Sequence, residues 1–237
     1  IVSEYSSIQE IVWENNQLHL QQGLNTSNYK TPVAINYVGP NTNLVYSNHL
    51  KDYDNAMAFW YRFEKLDNFY SFIFNFQDKE AAGNKMMSTI PNFRQEIADN
   101  LSQINCQEES CFGGANAGQI DGNGYAAIRM NNGDPGLYFK GAIQIHEYTH
   151  SIHGQYIKFG GFSPCWLGEG TAHYIGLSIR SNNFKEFIDL RKDQMYRVVD
   201  GIDPNNPDDI QNKFLNIYSS NDPDSPCWRI WDHNYSL

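Results

Sequence analysis

One stretch of the sequence, His146-Glu147-Tyr148-Thr149-His150, restricts the fold and the chemistry of this chain more than any other. Histidines four residues apart on a helix lie on one face, about one turn apart, so their ring nitrogens can converge on a single ion. Imidazole suits zinc, at a distance of about 2.0–2.1 Å. Glu147 projects beside this face, where it can reach a water held by the ion. The stretch therefore predicts a helix with a metal-binding face.

Two sequence patterns could supply the third ligand that such a site needs. In the first pattern a glycine stands three residues after the second histidine and a third histidine six residues after it; here those positions hold His153 and Tyr156. In the second pattern a glutamate on a following helix binds the ion, and Glu169 lies 19 positions after His150. The second pattern fits this chain. Three protein ligands leave the fourth position of a tetrahedral site open for water.

With these residues identified, the sequence resembles the gluzincin metallopeptidases, which include thermolysin-like proteases and the large zinc aminopeptidases. The spacing from His150 to Glu169, and the wording of residues 169–174 (EGTAHY), are similar to the aminopeptidase branch. The combination of HEYTH with Glu-Gly-Thr-Ala is also similar to bacterial collagenase-type sequences. The resemblance covers roughly residues 110–180. It implies one zinc ion bound by His146, His150 and Glu169, with Glu147 as the catalytic base.

The resemblance implies a hydrolase: a zinc-dependent metallopeptidase in which a metal-activated water attacks the peptide bond of a peptide or protein substrate. An endopeptidase is favoured because residues 113–116 (GGAN) lack the glutamate with which the aminopeptidase group binds a free amino terminus. An aminopeptidase is the first alternative. The second is a non-catalytic zincin-fold binding module that keeps the metal for structure. Retention of Glu147 beside all three ligands favours the enzyme.

Further candidates for the site lie downstream of the ligands. His173, four residues after Glu169, is a candidate partner of the metal site or, alternatively, a packed histidine. A donor to the tetrahedral oxyanion is also expected in this chemistry. The candidates for stabilising the transition state, besides His173, are Tyr196, Tyr218 and His233.

Calcium is a second cation that the sequence makes worth considering. The Asp and Asn residues of segments 121–124 and 132–136 carry oxygen ligands of the kind that calcium prefers. Their spacing does not match an EF-hand loop, so ordinary turn chemistry is favoured there.

The hydrophobic pattern predicts an α+β fold, zincin-like by resemblance, with a mixed twisted sheet, an edge strand and an active-site helix. Residues 1–30 show no clean period and are interpreted as an irregular or weakly stranded lead-in, and 113–124 as a glycine-rich passage. Strands are predicted at 31–38 and 68–76, the second central in the sheet. Helices are predicted at 48–66, 93–104, 139–156 and 183–199.

Residues 125–130 predict one further short strand, with turn-forming residues on both sides. This flanking pattern is typical of an edge strand, whose unpaired backbone groups can bind an extended peptide. The substrate-binding residues expected on this strand are Tyr125, Ala126, Ala127 and Ile128.

Two lobes of one catalytic unit are expected. Residues 1–160 would form an N-terminal lobe with the sheet and the HExxH helix. Residues 161–237 would form a mainly helical C-terminal lobe that carries the third ligand and ends in loops and an aromatic tail.

Charge and hydropathy narrow the choice of partners. The net charge of −10 disfavours nucleic acid and anionic membrane surfaces. No apolar run approaches the roughly 18–20 residues that span a bilayer. The first residue is Ile1, not Met, which predicts a processed or trimmed chain. The sequence does not indicate an oligomeric state.

Four cysteines permit two disulfides, in any of three pairings. The favoured pairs are Cys106–Cys111 and Cys165–Cys227, and the alternative is four reduced thiols. Because disulfides persist in oxidising compartments, the interpretation is a secreted or otherwise extracytoplasmic protein.

Overall fold

The computed structural model of the chain describes residues 2–26, 28–44, 49–63, 65–103, 106–107, 110–111, 114–130, 142–156, 165–199 and 202–215. Within these ranges helices cover both faces of a four-stranded mixed sheet. The predicted α+β class is therefore confirmed.

The helices are α1 (Val2–Leu24), α2 (His49–Phe59), α3 (Lys79–Thr89), α4 (Gln95–Gln103), α5 (Ile143–Tyr156), α6 (Cys165–Arg180) and α7 (Phe184–Val199). Short helical turns cover Phe76–Asp78, Pro207–Asp209 and Ile210–Leu215. The strands are β1 (Val33–Val38), β2 (Asn68–Phe74), β3 (Cys106–Gln107), β4 (Ser110–Cys111), β5 (Gly114–Ile120) and β6 (Asn123–Arg129). The predicted strands and helices are present with shifted bounds, and β6 begins two residues before the predicted strand 125–130. α3 was not predicted.

The four strands of the main sheet follow the order β1-β2-β6-β5. β1, β2 and β6 are parallel, and β5 lies antiparallel to β6 at one edge. Parallel neighbours require a crossover connection, which α2 supplies between β1 and β2. Asp121 and Gly122 join β5 to β6 with φ angles of 49° and 80°, and a two-residue hairpin turn with two positive φ angles suits the twist of the strands.

The strand predicted to form the sheet edge is internal, so that prediction is wrong. β6 lies between β2 and β5, and it contains the four residues expected at the edge, Tyr125, Ala126, Ala127 and Ile128. The glycines of 113–124 suggested a loop, but residues 114–120 pair as strand β5. Gly118 is required in that strand, because a Cβ atom there would lie 2.6 Å from the Oη atom of Tyr125. The edge strand on this side is therefore β5.

Alternate residues of β2 supply both faces of the sheet. Phe69 packs under α2 and α5, with its ring 4.9 Å from that of Tyr53 and 5.1 Å from that of Tyr148. Phe72 and Phe74 point to the opposite face, where they pack with α3 and α4. Each buried phenylalanine stabilises the fold by about 1.5–3 kcal/mol. Burial on both faces confirms that this strand is central.

The first 24 residues do not form the irregular lead-in expected from the sequence, because they contain α1. The inner face of this helix is largely polar, so the sequence shows no helical period of hydrophobic residues. Trp13 Nε1 donates to Ser181 Oγ at 2.8 Å, and Asn16 Nδ2 donates to Ser178 Oγ at 3.1 Å. These hydrogen bonds attach α1 to the last turn of α6, the helix that carries Glu169, and to Ser181 directly after it.

The two predicted lobes share one hydrophobic core. Ile175 and Ile179 of α6 pack in the same cluster as Leu20 of α1, Met57 of α2 and Ile145 of α5. In the described part of the C-terminal segment, α6 and α7 cover residues 165–199 except for the short connection 181–183.

The predicted disulfide between Cys106 and Cys111 is present, with an S–S distance of 2.04 Å, and it joins β3 to β4. The second predicted disulfide involves Cys227, which lies outside the described residues. No helix in the described part of the chain is long and apolar enough to cross a membrane.

Gly23→Ala is expected to destabilise the fold by about 1–3 kcal/mol. α1 approaches α2 closely at this glycine, and a Cβ atom there would meet the backbone carbonyl of Ala58. The control is Gly170→Ala in α6, where a Cβ atom would meet nothing within 4 Å. This change should stabilise the helix by about 0.5–1 kcal/mol, since alanine is the better helix former. Denaturant unfolding of both variants measures the difference, and equal shifts would contradict the close approach.

Candidate metal centre

Two neighbouring helices, α5 and α6, bring the predicted ligands together. Ile145, Tyr148 and Ile152 of α5 point into the hydrophobic core. The helical period therefore turns His146 and His150 to another face, toward α6. α6 packs against α5 and presents Glu169 to the two imidazoles.

The ligand atoms lie at distances that suit one small cation. His146 Nε2 is 2.9 Å from His150 Nε2. Glu169 faces both rings, with Oε2 3.2 Å from His146 Nε2 and Oε1 3.3 Å from His150 Nε2. Neighbouring ligand atoms around a tetrahedral zinc ion are about 3.3 Å apart, given bonds of about 2.0–2.1 Å. The three side chains are thus already arranged around the place for one ion.

The charges of the three groups depend on one another. Burial opposes the charge of the Glu169 carboxylate, but the two imidazoles outweigh it and hold its pKa well below the usual value. Burial also opposes a charge on His150, yet the Glu169 carboxylate prevails and raises the pKa of that imidazole to about 9. Positive charge is therefore favoured at the point where the three ligands converge. A bound cation would supply that charge.

Glu147 lies beside the ligands and is buried, with 4% of its side chain exposed. Its Oε1 atom is 4.0 Å from His146 Nε2, so the carboxylate borders the metal site without belonging to the group of ligands. Burial raises the pKa of Glu147, against the opposing effect of the two imidazoles. A carboxyl group with a raised pKa is suited to accept and release a proton near neutral pH.

The donor set distinguishes between metals. Two imidazole nitrogens and one carboxylate are typical of zinc sites that keep an open position. Calcium takes about 6–8 oxygen ligands and magnesium about six, so this group fits neither of them. Of the two segments considered for calcium, 132–136 lies outside the described residues. In the other, the Asp121 carboxylate accepts a hydrogen bond of 2.8 Å from the side chain of Asn92.

Hydrogen bonds hold α5 in place around the ligands. The Trp60 indole N–H donates to Thr149 Oγ1 at 3.1 Å, and that hydroxyl donates to the Ile145 carbonyl at 2.8 Å. Ser151 Oγ donates to the carbonyl of Tyr125 at 3.2 Å and so attaches the helix to β6. These contacts fix the rotation of α5 and with it the direction of both histidines.

Two further histidines have rings near the ligands. The His173 ring lies edge-on to that of His146, with centroids 5.9 Å apart. The His153 ring lies 6.0 Å from that of His150, and burial together with the nearby imidazoles lowers the pKa of His153 to about 4. His153 is not part of the group whose ligand atoms converge.

The remaining predicted site residues do not join the ligands in the described structure. Tyr196 lies on α7, with its side chain outside the described part, and Tyr218 and His233 lie wholly outside it. The residues of β6 lie under α5 rather than at an edge. Sequence reasoning missed the edge strand β5, and the two-residue turn Asp121-Gly122 was the signal that could have revealed it.

Comparison with protein-family models, curated proteins and solved structures found no match to this chain.

Proposed function

We propose that this protein is a zinc-dependent metallopeptidase that cleaves internal peptide bonds. The observation that carries the proposal is the convergence of His146, His150 and Glu169, with the buried carboxylate of Glu147 beside them. The three ligands without a nearby base would support only a metal with a structural role. A buried glutamate without the ligands would not support a proposal of metal-dependent chemistry. Their combination supports hydrolysis.

The three ligands would hold one zinc ion. When bound, zinc would supply a Lewis acid that polarises the scissile carbonyl and lowers the pKa of a water to about 7. Glu147 would accept the proton of the attacking water and pass it to the leaving amine. Its position beside the ligands supports this role, because a general base must lie within reach of the water that it activates.

The sheet edge supports a peptide substrate. β5 and β6 are joined by a two-residue turn, so the pair Ile120–Asn123 exchanges hydrogen bonds and the pattern alternates from there. The backbone N–H and C=O groups of Ala115, Ala117 and Gln119 consequently point away from β6. Among the described residues no strand pairs with this side of β5. An extended peptide can bind there as an added strand.

The position of β5 supports binding close to the metal. Ala117 packs against the hydrophobic cluster that includes Ile145 and Tyr148 of α5, so the middle of the edge strand lies beside the helix that bears the ligands. A peptide paired with β5 would therefore run along the side of α5, the helix that carries Glu147. Three parallel strands, an antiparallel edge strand and a ligand-bearing helix support the proposal of a zincin-like fold.

His173 is proposed to orient His146, because its ring lies edge-on at a centroid distance of 5.9 Å. The donor to the oxyanion stays a prediction, with Tyr196, Tyr218 and His233 as candidates. An extracytoplasmic location is proposed as well, and the Cys106–Cys111 disulfide supports it.

Digestion of a peptide mixture tests the proposed function. The zinc-loaded protein is expected to cleave N-terminally acetylated peptides at internal bonds, to lose this activity in a chelator, and to regain it when zinc is added back. Mass spectrometry of the products identifies the bonds that are cut. Hydrolysis of amino-acid anilides but not of acetylated peptides would show an aminopeptidase instead. Zinc bound at one ion per chain without any cleavage would show a binding module.

A further inference from the structure

Gln144, in the first turn of α5, is a buried polar residue without an assigned role in the proposed reaction. Its side chain is 0% exposed, and neither Nε2 nor Oε1 has a hydrogen-bond partner among the described residues. A buried amide without partners destabilises a fold, because the amide has given up its hydrogen bonds to water. Such groups are rare in native proteins, and each one calls for an explanation.

Glu147 carries a buried oxygen atom that lacks a hydrogen-bond donor among the described residues. Its Oε2 atom is buried and has no hydrogen-bond partner in the described part of the chain, whereas Oε1 lies 4.0 Å from His146 Nε2. Oε1 is thus the carboxylate oxygen that faces His146, and Oε2 is the one that lacks a hydrogen-bond donor in that part of the chain. A carboxylate oxygen accepts hydrogen bonds, and the N–H groups of an amide donate them.

The helix places these two side chains next to each other. Residues three positions apart are neighbours on a helix surface, with Cβ atoms about 5–6 Å apart. The amide of Gln144 ends a flexible chain of two methylene groups, so torsional changes alone can bring it to Glu147.

The chain neighbour of Gln144, Ile143, packs against the cluster of Ile73, Ile128 and Met130 on the sheet. The start of α5 thus lies against the sheet, where a buried amide without a hydrogen-bond partner destabilises the fold.

We propose that Gln144 is a positioning residue for Glu147: its amide N–H donates to Glu147 Oε2 and holds the carboxylate with Oε1 toward the metal ligands. The inference rests on the proposed function, since it takes Glu147 to be the base of the reaction. A base held in one orientation accelerates proton transfer, because the reacting atoms are aligned before the reaction begins.

A double-mutant cycle in unfolding tests the pairing without relying on activity. Gln144→Leu, Glu147→Leu and the double variant are unfolded in denaturant, with and without saturating zinc. Gln144→Leu is expected to destabilise the chain that keeps Glu147, because it removes the partner of a buried carboxylate. In the Glu147→Leu background it should be stabilising, because it removes an amide without a partner. The two effects on the unfolding equilibrium constant should differ by at least about fivefold in one of the zinc conditions.

Effects that agree within about twofold in both zinc conditions would overturn the pairing. Gln144→Met, which keeps the length of the side chain, is taken through the same cycle so that a packing defect caused by leucine is recognised. The matched control combines Gln144→Leu with Glu96→Leu, the same chemical change at an exposed residue of α4 that pairs with Arg94. Glu96 lies on another helix and has its own partner, so these two changes should be additive.

Kinetics test the positioning role. Gln144→Leu is expected to lower kcat about tenfold and to leave KM and zinc affinity unchanged, because only the orientation of the base is disturbed. An unchanged kcat would overturn the positioning role. If the wild-type protein cleaves no peptide while the cycle shows coupling, the proposed function fails and the pairing stands.

Discussion

Glu147→Gln is expected to lower kcat/KM for peptide cleavage by about 100- to 10,000-fold, the usual contribution of a general acid–base group. The glutamine amide has almost the same shape as the carboxylate but cannot accept the proton of the attacking water. His146, His150 and Glu169 are untouched, so zinc binding should be retained at one ion per chain. Initial rates with a peptide from the digestion experiment, and elemental analysis of the purified variant, measure the two quantities.

The matched control for this prediction is Glu96→Gln. Glu96 is an exposed residue of α4 that pairs with Arg94 at 2.7 Å, and both side chains are 70% exposed. The chemical change is the same, but it lies away from the ligands, so activity should stay at the wild-type level. Full activity of Glu147→Gln would show that another group is the base. Loss of zinc together with activity would show that Glu147 supports the metal site instead.

The ligand-bearing part of the site was the most predictable part of this protein. His146 and His150 are four residues apart on one helix, so local geometry alone places their rings together. Glu169 could be chosen only by resemblance, because its position depends on how α6 packs against α5. The distances of 3.2 Å and 3.3 Å to the two imidazoles agree with that choice.

The edge strand is hard to recognise from its own residues, because they are typical of a loop. β5 consists of the residues GANAGQI, which have low intrinsic preference for a strand. Its pairing with β6 is decided by the positive φ angles of Asp121 and Gly122 and by the need for a glycine under Tyr125. The turn is a local signal that the sequence carries, whereas the close approach of Gly118 to Tyr125 is a tertiary effect. β6 was predicted to be an edge strand because turn-forming residues flank it. It is internal because β5, whose sequence does not resemble a strand, pairs with its outer side.

The N-terminal helix escaped prediction for a different reason. Hydrophobic periodicity reveals a helix only when its buried face is apolar. The inner face of α1 carries Trp13, Asn16 and Gln17, which form hydrogen bonds with Ser178 of α6 and with Ser181, the residue just after that helix ends. On its outer face, by contrast, Ile8, Ile11 and Leu18 are each more than half exposed. The apolar and polar residues thus do not separate into an inner and an outer face.

Replacing a ligand is expected to have the second large effect, on zinc affinity. His150→Ala removes one of three protein ligands. Removing a residue that only orients a ligand lowers metal affinity by up to about 100-fold, so removing a ligand itself should lower zinc affinity by more than that. Isothermal titration with zinc measures the dissociation constant of each variant. The matched control is His153→Ala, three residues further along α5. Its ring lies 6.0 Å from that of His150 but outside the converging group, so affinity should change by no more than a few fold.

Thermal unfolding provides an independent measure of the same ligand set. A ligand that binds only the folded state at 100 times its dissociation constant stabilises the protein by about 2.7 kcal/mol. For a chain of this length that corresponds to a rise in Tm of about 5–10 °C. Zinc should therefore raise the Tm of the wild type and of His153→Ala, and leave His150→Ala almost unchanged at the same concentration. Equal shifts in all three proteins would place the zinc elsewhere and would remove the basis for assigning His146, His150 and Glu169 as ligands.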